Sequence, residues 1–144
     1  MFFGQNRDEL RRFYVQAWRK HSEKLPIEPL DAMVIDVIAL HPEYHTLLAD
    51  EEQALGHDYS PEQGETNPFL HMGMHIGLRE QLSTHRPAGI NAAYENLLKQ
   101  LGDVHEVEHQ MMECLGEAMW LAQRNNSAPD EAAYLTCLQK LSRR

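Results

Sequence analysis

Val104-His105-Glu106-Val107-Glu108-His109-Gln110-Met111-Met112-Glu113-Cys114-Leu115-Gly116-Glu117-Ala118-Met119-Trp120-Leu121-Ala122-Gln123 is the stretch that decides the fold. A helix turns about 100° per residue, so positions three and four apart share a face. Val104, Met111, Leu115, Ala118 and Ala122 then form one apolar stripe. Glu108 falls inside that stripe, His105 at its border, and His109 further round, near Gly116 and Trp120. Asp103 ahead of it, with Glu106 three residues on, approximates a capping box. The stretch therefore reads as a long amphipathic helix that turns a carboxylate and imidazoles toward the core.

The same pattern recurs along the chain. Arg7 to about Glu23 reads as a helix with Asn6 as N-cap and Leu10, Phe13, Tyr14, Ala17 and Trp18 on its apolar side. Leu25-Pro26 ends it, because a residue before proline avoids the α region. A second helix starts near Pro29, and His41-Pro42 interrupts it. A short helix restarts at Pro42 and reaches Leu48, and Glu51 to Asn67 reads as a long acidic loop. Asn67-Pro68 opens a third long helix to about Ser83, with Leu70, Met74, Leu78 and Leu82 as its stripe. Ile90 to Leu101 follows, with Ala93, Tyr94, Leu97, Leu98 and Leu101 inward. A last helix spans about Pro129 to Leu141. No Val/Ile/Thr-rich alternation makes a strand, and no linker divides the chain. The expectation is an all-α, single-domain helical bundle of about five to seven helices over residues 1–144.

The chain has 144 residues and a formal net charge of −9. No Lys or Arg lies between Lys24 and Arg79, a stretch holding Glu28, Asp31, Asp36, Glu43, Asp50, Glu51, Glu52, Asp58, Glu62 and Glu65. Such a surface repels phosphate backbones, so nucleic acid is not an expected partner. No apolar run is long enough for a membrane helix, and the first residues carry no secretory pattern, so the expected location is the cytoplasm. Cys114 and Cys137, without a CxxC pair, are expected to be reduced and buried. Arg7, Arg11, Arg12, Arg19, Lys20 and Lys24 make the first helix basic. That face either docks an acidic protein partner or pairs with the chain's own acidic segment, and we prefer the second.

Two HxxxH pairs carry the chemistry: His71 with His75, and His105 with His109. On facing helices they would aim four imidazoles at one point, which is how a bundle builds a metal site. Zinc and iron accept imidazole nitrogen and carboxylate oxygen. Glu108 would be a ligand or would orient one, and Glu106 would be the base if the site hydrolyses anything. Without a metal, the same residues make a hydrogen-bonded His/Glu network, and the chain is then a non-enzymatic interaction module. His105-Glu106-Val107-Glu108-His109 also matches HExxH. Glu108 charges a spacer usually left uncharged, and no strand is expected to hold a peptide, so a protease is set aside. A single Glu-x-x-His is too little for a ferritin-like centre. His41, His45, His57 and His85 read as loop or cap residues, and Trp18, Trp120 and Tyr134 as packing anchors.

Two runs, Asn67-Pro68-Phe69-Leu70-His71-Met72-Gly73-Met74-His75 and His105 through Cys114, carry a family resemblance. With them the chain resembles, over nearly its whole length, a bacterial family designated a domain of unknown function (number 1841). The resemblance implies a small bacterial cytosolic protein. It brings no activity, cofactor or catalytic residue to these positions.

Overall fold

A computed structural model describes residues 7–59 and 67–142. The described residues hold eight α-helices and one 3₁₀ turn joined by turns and loops, and none of these residues is in a strand. The all-α expectation holds. The chain divides into two compact units, one up to Gly73 and one from Met74.

In the first unit, α1 (Arg7–Ser22) packs on α2 (Pro29–Ala39), α3 (His45–Leu48) and α4 (Glu51–Gly56). The expected cap, Asn6, lies outside the described residues. α2 starts where Pro29 predicts, behind a reciprocal cap in which Asp31 accepts from the Glu28 N–H at 2.9 Å. Pro42–Tyr44 forms the 3₁₀ turn, so the helix expected from Pro42 to Leu48 is two pieces. α4 corrects the reading of residues from Glu51 onward as loop. Asp50 caps it by accepting from the Gln53 N–H at 3.2 Å, and Ala54 is buried.

The basic face of α1 pairs within its own unit. Arg7 meets Asp58 at 2.6 Å, Arg12 meets Glu51 at 3.6 Å, and Lys20 meets Asp31 at 3.1 Å. Arg11 is buried and donates to the carbonyls of Ala54 (3.1 Å) and His57 (2.7 Å), with its guanidinium over the Phe69 ring.

α5 (Pro68–Thr84) begins in the first unit and continues into the second. Asn67 caps it, accepting from the Phe69 and Leu70 N–H groups. Its buried face is rotated from the expected one: Phe69, Met72, His75 and Ile76 are buried with Leu78, whereas Leu70 is 54 % exposed. Apolar residues occupy most of this helix's circumference, so periodicity alone allows two phases.

The second unit holds the rest of α5 with α6 (Ile90–Leu101), α7 (Val104–Arg124) and α8 (Glu131–Leu141). Leu78, Ile90, Leu97, Val107, Met111, Leu115 and Leu138 form its core. Gly102 ends α6 in the left-handed conformation, at φ 71°, which glycine adopts without a Cβ penalty. Asp103 then caps α7 by accepting from the His105 N–H at 3.1 Å. On α7 the inward placement of Glu108, Met111, Leu115 and Ala118 is as the stripe predicts. Val104, expected inside, is exposed in the first turn.

Two further expectations fail here. Cys114 and Cys137 are joined in a disulfide, because the packing of α7 on α8 brings their Cα atoms to 5.8 Å. Their separation of 23 residues, across a turn, gives no local sign of that pairing. Trp120 is 57 % exposed with Arg124 over its ring, and is no packing anchor, whereas Tyr134 is buried and donates to Gln81 at 2.8 Å.

Candidate functional site

Turn periodicity on α5 and α7 places the expected residues. His75 is fully buried, and in the second unit its ring lies 5.4 Å from that of His105 and 4.9 Å from that of His109, centre to centre. His105 and His109 are 4.1 Å apart and edge-on. Three of the four expected imidazoles therefore gather between α5 and α7. His71 stands one turn before His75 on the same helix, half-buried.

Glu108 holds the centre of this group electrostatically. The His75 Nδ1 donates to Glu108 Oε1 at 2.8 Å, and the Arg79 Nε donates to the same oxygen at 3.2 Å. Burial pushes the Glu108 carboxyl up. The hydrogen bonds from His75 and Arg79, with the charge of Arg79, together outweigh burial, so it stands below its ordinary value. A buried carboxylate is thus kept ionised by two donors. With the Nδ1 proton committed to Glu108, a neutral His75 carries its lone pair on Nε2. Glu106, by contrast, is exposed and accepts from Gln110.

Arg79 was not among the expected site residues, although it lies four positions after His75, on the same face, and ends the cation-free stretch. From the sequence His41 reads only as a loop or cap residue. It does precede the 3₁₀ turn, but it is 1 % exposed. Within the first unit its Nδ1 donates to the Val37 carbonyl at 2.7 Å, and its Nε2 lies 3.2 Å from the His71 Nε2. Pro42 conceals it: a residue before proline avoids the α region, so no helical period of α2 extends through His41 to His45. Those two do part company. His45 faces the Ile38 carbonyl at 2.9 Å and packs on Trp18.

Within each unit histidines can offer ring nitrogens to a metal ion: His41 and His71 in the first, His75 and His109 in the second. His41 and His71 nearly touch, His71 and His75 are a turn apart on α5, and His75 and His109 are packed ring to ring. No helix among the described residues is long and apolar enough to cross a membrane.

The fold and these side chains define an all-α protein with a histidine cluster backed by a buried carboxylate. Residues 6–140 match the model of one family, and the chain belongs to that family, described as Domain of unknown function (DUF1841). No curated protein matches the chain, and no solved structure does.

Proposed function

We propose that this protein binds one transition-metal ion, zinc or iron, through the imidazoles of His71, His75, His105 and His109. The observation that carries the proposal is the fully buried His75, tied by Nδ1 to a buried carboxylate and surrounded by two further imidazole rings. Metal-binding histidines characteristically donate their other ring N–H to a carboxylate or carbonyl, which fixes the tautomer and the ring orientation. Glu108 fits that supporting part. Both of its known donors use Oε1, and its negative charge offsets part of the ion's. Neutral nitrogen donors with one nearby carboxylate suit zinc or ferrous iron better than calcium or magnesium, which take oxygen ligands.

Elemental mass spectrometry of untagged protein tests the proposal, beside a His71→Ala/His109→Ala double variant. The expected result is near one equivalent of zinc or iron in the native protein, lost in a variant whose far-UV circular dichroism is unchanged. A folded native protein that carries no metal and takes up neither added Zn²⁺ nor added Fe²⁺ overturns it. The histidines are then a structural network, and the search moves to protein partners.

A further inference from the structure

We infer that His41 is a metal ligand beside His71 in the first unit, binding through Nε2. The inference deepens the metal-binding proposal and rests on it. Its grounds lie wholly in the first unit. The Val37 carbonyl can only accept, so the 2.7 Å contact commits the proton of a neutral His41 ring to Nδ1. The lone pair then sits on Nε2, the ligating form of imidazole with a backbone partner behind it.

That Nε2 lies 3.2 Å from the Nε2 of His71, with the two rings nearly perpendicular at 81°. Two nitrogens each about 2.0–2.1 Å from one ion stand about 3.3 Å apart at a tetrahedral angle. The observed spacing is therefore that of two corners of a tetrahedral coordination sphere. It is also within reach of a simple N–H···N hydrogen bond, in which His71 would donate to His41. The two cases differ in what happens to the His41 nitrogen when metal is added.

His41 is also held as a ligand must be. It is 1 % exposed, and its ring is stacked on Tyr44 at 5.3 Å between centroids. Val37, which fixes its tautomer, lies in the last turns of α2, one helical turn back. Preorganisation of this kind lowers the cost of ordering a ligand on binding.

The test uses full-length protein stripped of metal by chelator and titrated with Zn²⁺ alone. Affinity is read by competition with a chromophoric chelator, for native protein and for His41→Phe. In parallel, two-dimensional ¹H–¹⁵N spectra of the native imidazoles follow the His41 Nε2 resonance. We expect the native Nε2 signal to move from the unprotonated to the metal-coordinated range at one equivalent. We also expect His41→Phe to bind Zn²⁺ at least about tenfold more weakly, the scale on which losing even a supporting group acts. Zn²⁺ binding that leaves the His41 signal unmoved overturns this inference while the metal-binding proposal stands. Native protein that binds no Zn²⁺ in this titration, and takes up no Fe²⁺ in the elemental analysis above, removes both. Should His41→Phe fail to fold, the spectra of the native protein decide alone.

Discussion

Among the described residues each of the two units buries one carboxylate and one histidine, and each satisfies them differently. In the first, Asp31 and His41 are served separately and largely by backbone: the Glu28 N–H donates to Asp31, and the Val37 carbonyl accepts from His41. In the second, Glu108 and His75 are partners, at 2.8 Å, with Arg79 on the same oxygen. The second unit also carries a covalent tie between α7 and α8, whereas no disulfide joins helices among the described residues of the first. A backbone partner costs the sequence nothing but fixes only one polar group at a time. A side-chain couple fixes an imidazole ring, a carboxylate and a guanidinium together, but it fails as a whole when one member is removed.

The comparison is put at most risk by Glu108→Ala. It strips His75 of its orienting acceptor and leaves Arg79 beside a buried imidazole, so it should destabilise by about 3–5 kcal/mol, the range for a broken buried pair. Asp31→Ala removes an acceptor that serves a helix start and a half-exposed Lys20, and should cost about 1–2 kcal/mol. Urea unfolding of the two apo variants beside native protein measures both. Equal losses would show that the carboxylates are equivalent supports, and the contrast between the units would be gone.

The covalent tie is next in size. Opening a bridge across 23 residues should destabilise by about 3 kcal/mol on the loop-entropy account. A Cys114→Ser/Cys137→Ser variant should therefore unfold at lower urea, and thiol titration of denatured native protein should find no free thiol. Two free thiols, or a variant as stable as native protein, would mean that apolar packing of Leu138 and Tyr134 holds α8 without the bridge.

What could be read from the sequence follows from how local each interaction is. α6 was legible as about Ile90 to Leu101, because its apolar period is bounded by a glycine at each end, although Leu101, expected inward, is 37 % exposed. The inward turn of Glu108 was legible from α7's stripe, and the grouping of His75, His105 and His109 followed from paired spacing on two helices. The phase of α5 was not, since Leu70 and Phe69 are equally apolar and only tertiary packing chooses between them. His41 and the disulfide were invisible for a common reason. Their partners, His71 and Cys137 with Cys114, lie 30 and 23 residues away, beyond any helical period. α4 had a local signal, Asp50 before Glu51, but an acidic segment with few apolar residues masks so short a helix.

The smallest expected effect concerns pH, and it sets the two carboxylates against each other under one condition. Asp31 stands below its ordinary value chiefly through the Glu28 N–H, with Lys20 adding to it against burial. Glu108 stands below its own despite burial, through His75 and Arg79. A depressed carboxyl stays ionised in the folded protein at pH values where the unfolded chain takes up a proton. Its contribution is complete above the unfolded pKa, about 4, and is lost as pH falls through the lower folded value. Native apo protein should therefore lose stability below about pH 4. Asp31→Asn and Glu108→Gln should each start less stable at pH 7 and lose less on acidification, because each lacks one of the protons to be taken up. Urea midpoints between pH 6 and pH 3 read those slopes directly. If Glu108→Gln follows the native slope, its carboxyl is not depressed in the fold. The couple with His75 and Arg79 would then hold geometry without holding charge, and the charge compensation ascribed to Glu108 beside a bound cation would lose its support.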